Sequence, residues 1–270
     1  MLDSLRLAVG TLTAIPVPPP RRVDRTVARD AMLLAPLVGL VLGGAAATVL
    51  TVIRVVAPDV RSVEAVDTLG AVLALATLAL LTRGLHLDGL ADTADGLGAK
   101  APVGDADAER RLEVMRAPDV GAFGVATLVL VLLVQLAALT VCSLAGYGAV
   151  SLVTAVVTGR LAATWCCTSP VPPARADGLG AVMARSVPVP AAVVVTLLSL
   201  VAVAALGLLD DDGAVRISVA LVLAMLVGLV VAAVALRRAV RRLGGVTGDV
   251  MGAVVELATA AALVAAALAL

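Results

Sequence analysis

The chain has 270 residues, of which 61% are hydrophobic, 15% charged and 1% aromatic. Soluble globular chains carry about 25% charged residues, whereas here the mean hydropathy is +1.10 and the apolar residues fall in runs that can cross about 30 Å of hydrocarbon. With a formal net charge of zero, there is no electrostatic basis for a nucleic-acid partner, and the chain reads as an all-α polytopic integral membrane bundle.

In chain order, residues 1–29 mix leucine with arginine, aspartate and proline, which fits an interfacial segment better than the apolar core of a cleavable signal. Seven transmembrane helices are predicted, at about 31–56, 67–87, 122–142, 148–168, 188–209, 215–236 and 250–270, in a single membrane domain over 1–270. The second is the weakest, because only residues 69–82 are cleanly apolar. With the N-terminus inside, sixteen basic residues fall on the inside and three, Arg54, Arg61 and Arg216, on the outside. That asymmetry predicts a cytoplasmic N-terminus in the plasma or inner membrane, with the acidic connector 210–213 outside. Cys142, Cys166 and Cys167 lie in or beside apolar runs without histidine nearby, so they read as packing residues rather than a zinc site.

The polar clusters all fall on the inside. The first is "GLHLDGLADTADGLG" at 84–98. Asp88, Asp92 and Asp95 are spaced i, i+4, i+7, which places three like charges on one helical stripe. A hard divalent cation, Mg²⁺ or Mn²⁺, shared with a substrate phosphate would relieve that repulsion; a solvated helix face just beyond the membrane would show the same spacing. His86 lies off the stripe, and reads as a general base or as a helix-end hydrogen-bonder. The second cluster is "GGVTGD" at 244–249 followed by Glu256. Asp249 and Glu256 are seven apart and so share a face; Gly245 belongs to a glycine turn suited to an anion, while Thr247 and Asp249 are both candidate N-caps. Arg160, well inside the fourth span, is costly there unless paired, with a phosphate, with one of the aspartates or in a structural ion pair. The hexapeptide "ADGLGA" occurs at both 94–99 and 176–181.

Taken together these stretches resemble the cobalamin synthase family, the adenosylcobinamide-GDP ribazoletransferases. "GLHLDGLADTADGLG" is similar to the family signature almost letter for letter. "RRLEVMRAPDVGAFG" at 110–124 resembles a second block, with Glu113 and Arg116 at its polar positions. "GGVTGDVMGAVVE" at 244–256 resembles the C-terminal block, and "TAIPVP" and "PLVG" the N-terminal end. Two positions depart from the pattern, Ala14 and Asp119, where the family often carries basic residues. The resemblance implies attack by α-ribazole, or its 5′-phosphate, on the phosphate joining a corrinoid to GMP, with Mg²⁺ required. It implies Asp88, Asp92, Asp95 and Glu113 as metal ligands and Asp92, Asp95 or His86 as catalytic groups. Arg116, Arg160, Gly245, Thr247, Asp249 and Glu256 would then bind substrate. The active site would face the cytoplasm, and a homo-oligomer is compatible with the sequence.

Two other classes compete with this reading. A CDP-alcohol phosphotransferase would need an arginine after the alanine of its Asp-Gly-x-x-Ala-Arg motif, where this chain has Asp92. A transporter would place lone acids near the midplane on broken helices, whereas these acids cluster at inside helix ends.

Overall fold

The computed structural model describes residues 1–57, 62–100, 106–208 and 214–270, with the side chain of Ala106 outside the description. The acidic connector 210–213 and Arg61 therefore lie outside the described residues. Among the described residues there is no strand, only two isolated bridges, Thr168 with Val187 and Pro173 with Val246. The helices are α1 (Leu2–Leu12), α2 (Arg25–Leu33), α3 (Ala35–Val56), α4 (Val63–Leu81), α5 (Leu85–Gly98), α6 (Ala106–Val114), α7 (Ala122–Leu144), α8 (Gly148–Cys166), α9 (Gly178–Met183), α10 (Val189–Gly207), α11 (Ala214–Leu243) and α12 (Gly248–Ala269). Seven of them, α3, α4, α7, α8, α10, α11 and α12, are long and apolar enough to cross a membrane.

Two expected spans are divided. The first breaks at Leu34, between α2 and α3, because Pro36 cannot donate to the carbonyl of Met32. That carbonyl instead accepts from Thr164 Oγ1 on α8, at 2.7 Å, so the break costs no unpaired group in the bundle. The second ends at Leu81. Arg83 (φ 53°) and Gly84 (φ 66°) both adopt the left-handed region, and the chain restarts as α5, which carries the whole aspartate motif. The weak apolarity after Thr82 is thus the signature of a separate helix.

The centre of the bundle is α8 and α12, which are buried along most of their length. They can be central because alanine, glycine, serine and threonine dominate both, and small side chains let helix backbones approach. Helices α3, α5, α7 and α11 pack around this pair, and α10 lies at the edge against α11 and α8. Caps start several helices: Asp24 Oδ1 accepts from Val27 N at 2.9 Å, and Thr247 Oγ1 accepts from Val250 N at 3.2 Å, each worth about 1 kcal/mol. All three cysteines are free and buried.

Candidate functional site

The site forms where α5 crosses the start of α12. A side chain at Gly89 would meet the Asp249 backbone, at 2.6 Å from its carbonyl oxygen and 2.8 Å from its Cα. One turn on, a side chain at Gly252 would meet the His86 backbone at 3.1 Å. A glycine on each helix therefore permits the close crossing, and it brings Asp249 to the stripe of Asp88 and Asp92. Asp88 is exposed, while Asp92 and Asp249 are half-buried.

The charge balance at this mouth is unfavourable without help. Burial, then the neighbouring Asp88, Asp249 and Asp95, push the Asp92 carboxyl up to about 6, and Arg175 opposes them. Arg175 lies 4.0 Å from Asp249 Oδ2 and donates to Leu112 O at 2.7 Å. Burial and then Arg116 lower its own pKa. Arg116 pairs with Asp177 at 3.1 Å, both largely exposed. Arg175 directly precedes the second "ADGLGA" and Asp177 is its second residue; residue type alone does not single them out, and the repeated hexapeptide is the available signal.

Asp95 is placed differently from Asp88 and Asp92. It is buried, and its two carboxylate oxygens accept from Gly121 N at 2.7 Å and Gly124 N at 2.9 Å. It caps the start of α7 from the neighbouring helix, and the motif helix is thereby tied to α7. Each oxygen accepts one backbone N–H, so Asp95, expected as a metal ligand or proton acceptor, has a capping role in the structure. Arg111 closes the C-terminal end of α5 itself. It is buried, donates to Gly96 O at 3.0 Å and Leu97 O at 2.6 Å, and holds Asp107 at 2.7 Å. A cation on the last carbonyls of a helix is favourable, and this capping was not read from the sequence.

Glu113, the fourth expected metal ligand, is exposed and pairs with Arg110 at 3.0 Å on its own helix. The structure does not bring it to the aspartates. Among the described residues no three His, Cys, Asp or Glu side chains stand close enough together to enclose a metal ion.

Arg160, His86 and Glu256 form a second, buried cluster. Arg160 Nη2 is 3.4 Å from His86 Nδ1. Gln135 Nε2 donates to Glu256 Oε2 at 2.8 Å. Arg160, Glu256, Gln135 and Thr259 line one small cavity of about 20 Å³, space for about one water. Arg160 and Glu256, expected to bind substrate, are thus placed on a small internal cavity, and His86, expected as a catalytic group, lies beside Arg160. Helical rise is the reason for Glu256: seven residues put it about 10 Å further along α12 than Asp249.

The glycine turn is likewise a packing element. Gly245 is buried, and a side chain there would collide with the backbone of Pro172, Pro173 and Ala174. Thr247 caps α12 and also donates to Asp249 Oδ2 at 3.2 Å. It orients a mouth carboxylate while satisfying the helix end.

Residues 4–267 match the family model described as cobalamin-5-phosphate synthase. The chain belongs to that family. Its relatives within the cobalamin-5-phosphate synthases include a protein of Frankia casuarinae named adenosylcobinamide-GDP ribazoletransferase. That relative is 46% identical over 214 residues, 79% of this chain and 75% of its own length. A protein of the same name from Nocardioides sp. is 48% identical over 199 residues, 72% of this chain and 78% of its own. One from Bradyrhizobium diazoefficiens, also so named, is 37% identical over 182 residues, 67% of this chain and 65% of its own. No solved structure matches. The family places this chain among cobalamin-synthesising transferases, and the crossing of α5 and α12 unites two of the blocks that carried the resemblance.

Proposed function

We propose that this chain joins adenosylcobinamide-GDP to α-ribazole, or to α-ribazole 5′-phosphate, releasing GMP and completing the nucleotide loop of cobalamin. The family match together with the Gly89–Asp249 crossing carries the reading, because that crossing assembles an acidic mouth from two distant motif blocks. The mouth faces the cytoplasm in this proposal, in the plasma or inner membrane, as the arginine asymmetry supports.

The donor set fits a hard divalent cation of the magnesium class. Asp88 and Asp92 are one turn apart and Asp249 lies across from them, against one nearby guanidinium, Arg175. Magnesium is ordinarily held by one or two carboxylates, with waters and substrate phosphates completing the shell, so a three-residue protein cage is not required. When bound, the cation neutralises charge on the pyrophosphate. Asp88 and Asp92 are the residues that would hold it. Arg175 and Arg116 hold the phosphates of the nucleotide from the opposite side. Asp249, oriented by Thr247, takes the proton from the attacking ribazole hydroxyl as its oxygen bonds to the corrinoid-side phosphorus and the bond to GMP breaks. Asp95, Arg111 and the Arg160–His86–Glu256 cluster position α5 and touch no substrate. Such a site works mainly by placement and electrostatics, which suits phosphoryl transfer.

The test is direct. Protein in nanodiscs receives adenosylcobinamide-GDP, α-ribazole 5′-phosphate and Mg²⁺, and GMP and the corrinoid product are separated by chromatography. GMP release should need both substrates and the cation, and should be lost with EDTA or Asp92→Asn. No turnover from a folded preparation that binds the cation would overturn the proposal.

A further inference from the structure

Away from the acidic mouth, a groove of about 1190 Å³ runs along the flank of α11, with α10 on its other side and α8 and α12 as its floor. None of Asp88, Asp92, Arg116, Arg175 or Asp249 lines it. Its position follows from how α10 and α11 meet. At one end they touch closely, because a side chain at Gly207 would collide with Ser218 and Ser218 Oγ donates to Ala204 O at 2.7 Å. The groove lies toward the other end, where Thr196 is the residue of α10 that lines it. Small residues, Ala162 on the floor and Ala232 and Ala233 on the wall, leave the space open.

The wall of α11 carries Leu226, Val230 and Val234 at i, i+4 spacing, all exposed, and then Arg237 and Arg241, also exposed. Neither arginine has a carboxylate within salt-bridge distance among the described residues. From Leu226 to Arg241 the helix rises about 22 Å, somewhat more than the roughly 15 Å of hydrocarbon in one leaflet. The stretch before Arg237 is apolar from Val219 onward, so the arginines mark the depth at which hydrocarbon gives way to headgroups. An apolar wall one leaflet deep, ending in two unpaired guanidiniums at headgroup level, is complementary to one kind of molecule.

We propose that this groove binds an anionic diacyl phospholipid, with an acyl chain along Leu226, Val230 and Val234 and the headgroup phosphate between Arg237 and Arg241. The full-length protein, reconstituted with equimolar phosphatidylglycerol and phosphatidylcholine and released for native mass spectrometry, should retain the anionic lipid in about tenfold excess. Arg237→Gln with Arg241→Gln should bring retention close to equimolar. Ala233→Phe, which fills the wall without touching the charges, should remove the retained lipid altogether. Equal retention by the unaltered protein, or an excess that survives the double arginine variant, would overturn the proposal. So would displacement of the lipid by adenosylcobinamide-GDP, which would assign the groove to the corrinoid. The lipid readout does not depend on turnover, so its failure is separable from failure of the transferase reading.

Discussion

Gly89→Ala is the sharpest perturbation of the site, because it adds one methyl group where α5 meets α12. The added Cβ would stand 2.6 Å from the Asp249 carbonyl oxygen and 2.8 Å from its Cα, whereas ordinary contact begins near 3.4 Å. Both partners are backbone, so no side-chain rotation relieves the clash. The helices must separate by about 0.8 Å, the difference of those distances. Overpacking of this kind costs about 1–3 kcal/mol, offset by up to about 1 kcal/mol of alanine's better helix propensity. Stability therefore falls only modestly. Activity should fall much further, because Asp88 and Asp92 move away from Asp249 by the same distance, and a misplacement near 1 Å costs on the order of a hundredfold. The assay is GMP release in nanodiscs alongside thermal unfolding, with Gly44→Ala as the control, since a side chain at Gly44 would meet nothing within 4 Å. Wild-type turnover in Gly89→Ala would refute the claim that this crossing builds the site.

Other perturbations separate the roles of individual residues. Asp92 has a folded pKa raised from 3.8 to about 6, so the metal-free folded protein binds more protons than the unfolded chain between those values, and the contribution of Asp92 to stability falls as pH rises through that window. Stabilisation by added Mg²⁺ should therefore be strong at pH 7.5 and weak at pH 5 in melting curves, and Asp92→Asn should flatten that difference; an unchanged pH dependence would remove Asp92 from the cation site. Asp95→Ala should cost about 2–4 kcal/mol through loss of two charge-assisted bonds to the start of α7, while Asp95→Asn should keep most of the cation affinity; lost affinity with unchanged stability would make Asp95 a ligand. Arg160 and Glu256 line one small internal cavity, so Arg160→Met should destabilise the fold by removing the nearby cation, and adding Glu256→Met should recover part of that loss in a double-mutant cycle read by thermal unfolding; strict additivity would contradict the coupling.

Hydropathy made the membrane class and the seven long helices legible, because a span must be apolar over about 20 residues whatever its neighbours are. Local backbone chemistry also explains the breaks at Leu34 and Arg83, through Pro36 and the glycine at 84, although run length alone merged the pieces. The aspartate spacing correctly paired Asp88 with Asp92, since helical periodicity is a local property. It could not distinguish Asp95, which shares their stripe but meets the amides of Gly121 and Gly124, because that choice depends on where α7 begins. Sharing a face was likewise too weak for Asp249 and Glu256, which the rise of α12 divides between the mouth and the buried cluster.

The sequence by itself therefore determined the bundle class, the family and the stretches where polar residues cluster, all of which rest on composition, periodicity and order along the chain. Only the tertiary structure decided which carboxylates face the mouth, which close helix ends, and which are buried with Arg160. Those roles depend on partners far away in the chain, Asp249 for Gly89, Gly121 for Asp95 and Gln135 for Glu256, and a residue's own neighbours in sequence carry no record of them.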